Sequence, residues 1–281
     1  MHLSNRMLRV PFLSATLLTA VVAFAQPQQD TKALVQEMVQ NELKARKDDH
    51  SHWVYVDSLT EGSTRKVNQV VETSSGTLQL LLSENGQPVS DQQKSQEISN
   101  LEARIQTARS LKKESRETNE DSKKATQMLQ MLPDAFLYTM VDENGPLIHL
   151  RFQPNPNFNP PTREATVFHA MAGDMYIDKK EDRLAELSGR LMSNVYFGWG
   201  ILGKLMQGGT FRIKQKEVGP EHWELTLLDV HITGRALLFK TIGEQQHETR
   251  TEYRQVPNDL SPQQAVAMLQ NSSNQVAYHH P

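Results

Sequence analysis

The spacing of apolar and polar positions changes several times along the chain, and each change marks an element. Between 30 and 47, Leu34, Val35, Met38, Val39 and Leu43 recur at helical spacing, and Asp30 or Thr31 can cap the start, so a helix is predicted. The period then drops to two. Trp53-Val54-Tyr55-Val56, Val67 to Glu72, and the run in which Leu78, Leu80 and Leu82 alternate with Gln79, Leu81 and Ser83 predict three strands. Ser74-Ser75-Gly76 turns the second into the third, and Asn85-Gly86 ends the third.

Helical spacing returns over 90–132. Ser90 or Asp91 can cap a helix in which Ile98, Leu101, Ile105, Ala108 and Leu111 share one stripe. Lys112 to Lys124 holds no large apolar residue, apolar side chains resume at Ala125, Met128, Leu129 and Leu132, and Pro133 is expected to stop the run. Two arrangements fit: two helices joined by a polar bend at 112–124, or one long solvated helix. Neither carries sustained coiled-coil heptads.

Strands then resume. Phe136, Tyr138 and Met140 alternate with Leu137, Thr139 and Val141, Asp142 to Pro146 turns, and Ile148, Leu150 and Phe152 return. Four prolines between Pro154 and Pro161 exclude a sheet ladder there. Ala165 to Ala172 is predicted as a strand, and Asp174 to Asp178 is predicted to pair with Leu184 to Leu191 across Lys179-Lys180-Glu181-Asp182. Phe211 and Ile213 mark a half-exposed strand, and Gly219-Pro220 turns it into Trp223–Ile232, which is apolar on both sides and therefore central. Ala236 to Ile242 follows. His247 to Val256 sets Glu248, Arg250, Glu252 and Arg254 on one face, as on an exposed surface. Asp259-Leu260-Ser261-Pro262 opens a short helix, and a disordered tail is expected from Asn271. About ten strands joined by short turns, with a few helices, make the fold class antiparallel α+β.

The N-terminus adds a compartment. Arg6 and Arg9 precede an apolar run from Pro11 to Val22, and Ala23-Phe24-Ala25 has the small-x-small form of a cleavage site. Residues 1–25 therefore read as a secretory signal peptide, cleaved after Ala25, and the product as periplasmic or secreted. The run falls short of the roughly 20 apolar residues of a membrane-spanning helix. No cysteine occurs, which excludes lipid attachment at that point and any disulfide. The expected organisation is a leader at 1–25, one β-rich domain at 26–256 with a helical insertion at 90–132, and a helix and tail at 257–281.

Charge and motifs narrow the chemistry. The net charge of −3 is set against a nucleic-acid partner. No nucleophile elbow, P-loop or dinucleotide fingerprint stands in a suitable context, and no cofactor is implied. Asp229 and His231 share a strand face but lack a third metal ligand, and Asp174 and Asp178 have no cleft to face across. Asp48-Asp49-His50-Ser51-His52 and His279-His280 suit adventitious metal binding. The most unusual segment is 195–209, where bulky apolar residues mix with five glycines. Tyr196, Phe197, Trp199, Ile201, Leu202, Leu205 and Met206 are the candidate ligand-binding residues, as a lip on an apolar cavity; the competing reading is a core strand with a buried turn.

Asp174-Met175-Tyr176-Ile177-Asp178 followed by Arg183-Leu184-Ala185-Glu186-Leu187-Ser188-Gly189-Arg190-Leu191 resembles a hairpin of secreted bacterial proteins of the outer-membrane lipoprotein-sorting and lipoprotein-carrier type. Phe197-Gly198-Trp199-Gly200 and Gly208-Gly209-Thr210-Phe211 are similar to a subgroup of that type. The resemblance spans roughly 30–256 and implies a large curved antiparallel sheet, an open half-barrel, whose concave face holds acyl chains beneath a helical lid. The polar arm at 112–124 is longer than such a lid needs. Three functions follow as expectations: a carrier or chaperone for lipid, lipoprotein or another apolar ligand; an envelope scaffold that docks a protein through Ile98, Leu101, Ile105 and Leu111; and a hydrolase whose His, Asp and Ser converge only on folding.

Overall fold

A computed structural model describes residues 26–106, 108–197, 203–236 and 245–276. The expected leader lies outside the described residues. Helix α1 (Gln26–Asp48) leads into strands β1 (His52–Glu61), β2 (Thr64–Thr73), β3 (Gly76–Glu84) and the two-residue β4 (Gln87–Pro88). Helices α2 (Asp91–Gln106) and α3 (Ala108–Ala135) follow, then β5 (Phe136–Asp142), β6 (Leu147–Pro154), a 3-10 helix (Glu164–Ala170), β7 (Met171–Asp178) and β8 (Arg183–Leu191). The chain continues through β9 (Val195–Phe197), β10 (Gly203–Leu205), β11 (Thr210–Gly219), β12 (His222–His231), β13 (Gly234–Ala236), β14 (Gln245–Val256) and α4 (Pro262–Val276).

Eleven strands form one antiparallel sheet in the order β4-β3-β2-β1-β14-β12-β11-β8-β7-β6-β5. The sheet is not closed, so the architecture is an open half-barrel with helices, as expected. Strands β13, β10 and β9 make a small second sheet. Among the described residues no helix is long and apolar enough to cross a membrane.

Register shows which side chains share a face. Directly opposed residues point the same way. The line Leu59–Glu248–Leu228–Ile213–Leu187–Met175–Leu150 crosses seven strands of the sheet. Trp53, Tyr55 and Asp57 alternate with Val54 and Val56 along β1 and so lie on the side of Leu59. We call this side the inner face. Over β5–β8 it is apolar, and Phe136, Tyr138, Leu150, Phe152, Met175 and Ile177 are buried there. Helix α1 packs Val35, Met38 and Val39 into the same cluster, and α3 adds Leu129 and Leu132. The outer face over β1–β3 has a separate core, in which Val54, Val71, Leu78 and Leu80 meet Ile98 and Leu101 of α2 and Ala265, Val266 and Leu269 of α4.

Both helices on the outer face start with the same device. Ser90 Oγ accepts the Gln93 N–H while Gln93 Oε1 accepts the Ser90 N–H, and Ser261 and Gln264 repeat the exchange. These are capping boxes, and Pro262 stands at the first helical position.

Four expectations are corrected. The segment 165–172 is a 3-10 helix through Ala170: Thr162 Oγ1 accepts the Ala165 N–H, and a three-residue spacing buries Ala165 with Phe168 and Val167 with Ala170. Of the two arrangements open at 112–124, the polar stretch is helical and continues α3 without a bend; residue 107, between α2 and α3, lies outside the described residues. Pro133 lies inside the last turns of α3 instead of ending it. The charged face of β14 is split, because a bulge with Glu252 at φ 59° leaves Glu248 and Arg250 on the inner face while Arg254 opposes Val54 on the outer one. The C-terminal helix runs to Val276, past the expected break at Asn271, because Leu269 anchors it in the outer core. The strand expected at 236–242 is described only as far as Ala236, and the tail after 276 lies outside the described residues.

Gly173 and Gly189 oppose each other between β7 and β8. A Cβ on Gly189 would lie 2.7 Å from the Ala172 carbonyl oxygen and 2.9 Å from the Phe211 ring. The Gly189→Ala protein is expected to lose about 1–3 kcal/mol of stability through overpacking, measured by urea unfolding. A loss below about 0.5 kcal/mol would mean that the ring moves aside freely.

Candidate functional site

Helix α1 is the element that joins the sheet's chemistry together. Its apolar stripe continues from Val35, Met38 and Val39 to Glu42, a carboxylate where the spacing calls for another apolar residue. Glu42 is 2 % exposed and Arg183, at the start of β8, is 8 % exposed. Arg183 Nε donates to Glu42 Oε1 at 2.7 Å, Nη2 donates to Oε2 at 3.3 Å, and the Leu184 N–H donates to Oε1 at 3.0 Å. The Arg183 guanidinium also stands 5.8 Å from the centre of the Trp223 ring. Removing one partner of a buried pair of this kind strands the other charge and costs about 3–5 kcal/mol.

Beyond this pair α1 ends at a cleft of about 610 Å³. Its walls are the last turns of α1 from Asn41 to Asp49, the β7–β8 turn at Lys180 and Glu181, and the β11–β12 turn at Pro220 and Glu221. Trp223 Nε1 donates to Glu181 Oε2 at 2.8 Å, which holds the indole beside the cleft. Asn41 Nδ2 donates to the Asp182 carbonyl, so α1 is fixed to the β7–β8 turn as well.

Folding brings Asp49, Ser51 and His222 together at the cleft, the convergence a hydrolase would need. The geometry is different from a nucleophile relay. Asp49 Oδ2 lies 3.2 Å and Ser51 Oγ 3.5 Å from the same imidazole nitrogen, Nδ1. A relay uses the two ring nitrogens for the two partners. Ser51 Oγ instead accepts the Trp53 indole N–H at 2.8 Å, and Asp49 Oδ1 accepts the Ser51 N–H at 2.7 Å. Burial alone would raise the Asp49 carboxyl; the Ser51 hydrogen bonds and His222 outweigh it and hold the group below its ordinary value. The trio works as a cap on the junction between α1 and β1.

The inner face over β1, β2, β12 and β14 is polar and aromatic. Tyr55 and Tyr253 stack at 4.9 Å, with Arg250 5.3 Å from the centre of the Tyr55 ring. Arg250 Nε donates to Glu248 Oε1 at 2.6 Å and lies 3.8 Å from Asp57 Oδ1. Asp57 Oδ1 and Gln246 Oε1 are buried without a donor. Burial, then the Glu248 carboxylate, pushes the Asp57 carboxyl up to about 6, and Arg250 opposes this. Burial, then the Glu72 and Asp49 carboxylates, pushes Glu224 up to about 7.

The candidate ligand-binding residues divide by strand alternation. Leu205 is 6 % exposed and, with Val195, ties the small sheet to the inner apolar core. Tyr196 is 54 % and Met206 39 % exposed, and Lys204 Nζ stands 5.1 Å from the centre of the Tyr196 ring. The Phe197 side chain, Trp199, Ile201 and Leu202 lie outside the described residues. Asp229 gains His247 beside His231, yet both imidazoles address the same carboxylate oxygen, at 3.1 and 3.5 Å. Among the described residues no group of three or more His, Asp or Glu has the arrangement of a metal site. Asp174 pairs with His149 at 2.8 Å rather than facing Asp178. Ile98 and Leu101 are buried within the chain and Ile105 packs against them, so the stripe expected to dock a partner is already covered; Leu111's side chain lies outside the described residues.

Reasoning from sequence missed Glu42, Arg183 and Asp57. The signal for two of them was present: Glu42 interrupts the apolar stripe of α1, and Asp57 continues the inward alternation of Trp53 and Tyr55. Comparison with protein-family models, with curated proteins and with solved structures finds no match to this chain.

The raised carboxyls fix the sign of a pH effect. Asp57 and Glu224 keep their protons to higher pH when folded than when unfolded, so their contribution is complete below about pH 4 and is lost as pH rises through about 6 and about 7. The Asp57→Asn protein is expected to be more stable than the parent at pH 8 by about 1 kcal/mol, with a shallower fall between pH 4.5 and 7 in urea unfolding. An unchanged slope would remove Asp57 from the effect.

Proposed function

We propose that this chain is an extracytoplasmic carrier or chaperone for an apolar ligand, a lipid or the acyl chains of a lipoprotein, held between the inner face of the sheet and α1. The observation that carries the reading is the make-up of that interface. The sheet is open, and its apolar face is covered by the side chains of α1 and α3, with α1 also held by the Glu42–Arg183 pair. Met38 and Met175 are buried there, and Met128, Met131 and Met171 pack against the same cluster. Methionine is unbranched and polarisable and adapts to partners of different shape. A surface built this way can exchange helix side chains for acyl chain without creating a void.

The energies are of the right size for exchange. Burying Val35, Met38 and Val39 contributes roughly 1.5–3 kcal/mol each, and each methylene of an acyl chain contributes about 0.8 kcal/mol. Lifting α1 also parts Glu42 from Arg183, and a chain of about fifteen methylenes offsets both that cost and the displacement of α1's three core residues. The resemblance of the β7–β8 hairpin to lipoprotein carriers supports the same ligand class, and the leader-like residues 1–25 support export to a periplasmic or secreted location.

The test uses the chain starting at Gln26. Solvent extraction of the purified protein followed by mass spectrometry is expected to recover acyl lipid, and a fluorescent acyl probe is expected to bind saturably at about one site. Absence of both would contradict the reading.

A further inference from the structure

We propose that the acyl ligand of the inner face carries an uncharged hydrogen-bond donor at its polar end, a hydroxyl or an amide N–H, and that Gln246 receives it. The inference rests on the carrier reading and names the kind of ligand carried. Gln246 is 7 % exposed, and its Oε1 is buried with no donor among the described residues. Residues 245–248 of β14 alternate exposed and buried, so Gln246 points to the inner face with Glu248. A buried acceptor without a donor is costly, and a ligand that supplies the donor removes that cost.

The neighbours select the kind of donor. Glu248 has both carboxylate oxygens in use: Arg250 Nε donates to Oε1 at 2.6 Å, and Gln246 Nε2 donates to Oε2 at 3.2 Å. The acceptor left over is a neutral amide carbonyl, and the carboxylate beside it already has its counter-charge. An uncharged donor therefore completes the group. An anionic end would instead face Glu248 and Asp57, whose Oδ1 is also buried without a donor.

The face next to Gln246 is apolar. Leu59, Leu228 and Ile213 are half-buried and belong to none of the three apolar cores among the described residues. They share with Glu248 the line that runs on through Leu187 and Met175 into the core beneath α1. From β14 to β7 that line crosses four strand spacings, roughly 19 Å. An acyl chain laid along it would cover these side chains and end under α1, with its polar end at Gln246.

The test is competition against a fluorescent acyl probe on the chain starting at Gln26. Monomyristoylglycerol offers hydroxyls, myristamide offers an amide N–H, and methyl myristate has the same tail without a donor. One or both donor-bearing ligands are expected to lose about tenfold in affinity relative to the methyl ester in the Gln246→Met protein. The affinity of the methyl ester itself is expected to be unchanged, which also reports that the variant is folded. A loss confined to monomyristoylglycerol identifies a hydroxyl, and one confined to myristamide an amide. The Ile213→Ala protein is expected to bind all three ligands about threefold more weakly. In the parent protein alone, methyl myristate binding as tightly as both donor-bearing ligands would overturn the inference. Equal affinity ratios in the parent and Gln246→Met proteins, or affinities untouched by Ile213→Ala, would overturn it as well. Each of these results leaves the carrier reading standing, whereas failure of every acyl ligand to bind would overturn that reading and this inference with it.

Discussion

Glu42 carries its carboxylate into a face of the sheet from which water is excluded, and Arg183 meets it there across 141 residues of sequence. The pair decides where α1 lies. With two guanidinium bonds and the Leu184 N–H on one carboxylate, α1 cannot slide along the sheet by a turn without stranding a buried charge. Its register then follows: Val35, Met38 and Val39 fall over the apolar strands, and Asn41 to Asp49 fall at the cleft. The same ion pair divides an apolar interior from a polar rim.

The two faces of the sheet solve different problems. The outer face over β1–β3 is sealed by α2 and α4, each started by a Ser–Gln capping box, and Ile98 and Leu101 are used up there. That core secures the strands and leaves α2's stripe no free surface. The inner face is apolar at one end of the sheet and acidic and aromatic at the other. It is the side where methionines gather and where buried acceptors stand without donors. The outer face carries the smaller apolar core, and the inner face carries the larger one together with the buried ion pair.

Much of this was legible in the amino-acid sequence. The alternation of Trp53, Tyr55 and Val70 with Val54 and Val71, the tight turns, and the β7–β8 hairpin all follow from local patterning, so the antiparallel α+β class could be read directly. What escaped depends on contacts far apart in sequence. The bulge at Glu252 turns Glu248 and Arg250 inward, and no single-strand pattern signals it. Thr166 and Val167 are β-branched and read as strand, while the burial that makes 164–170 a 3-10 turn comes from the inner core. The cleft was invisible for the same reason: its walls come from α1, the β7–β8 turn and the β11–β12 turn, and only the sheet order brings them together. Glu42, a carboxylate within the apolar stripe of α1, is a sharper signal in the sequence than the apolar, glycine-rich segment.

If α1 is the movable cover of a ligand-bearing face, holding it down should prevent loading. The chain has no cysteine, so a pair introduced by Asn41→Cys and Asp182→Cys, where α1 touches the β7–β8 turn, gives an unambiguous cross-link. The oxidised protein is expected to take up an acyl probe about tenfold more slowly than the reduced protein, with full recovery on reduction. Equal uptake in the oxidised and reduced forms would contradict a role for α1 as the cover.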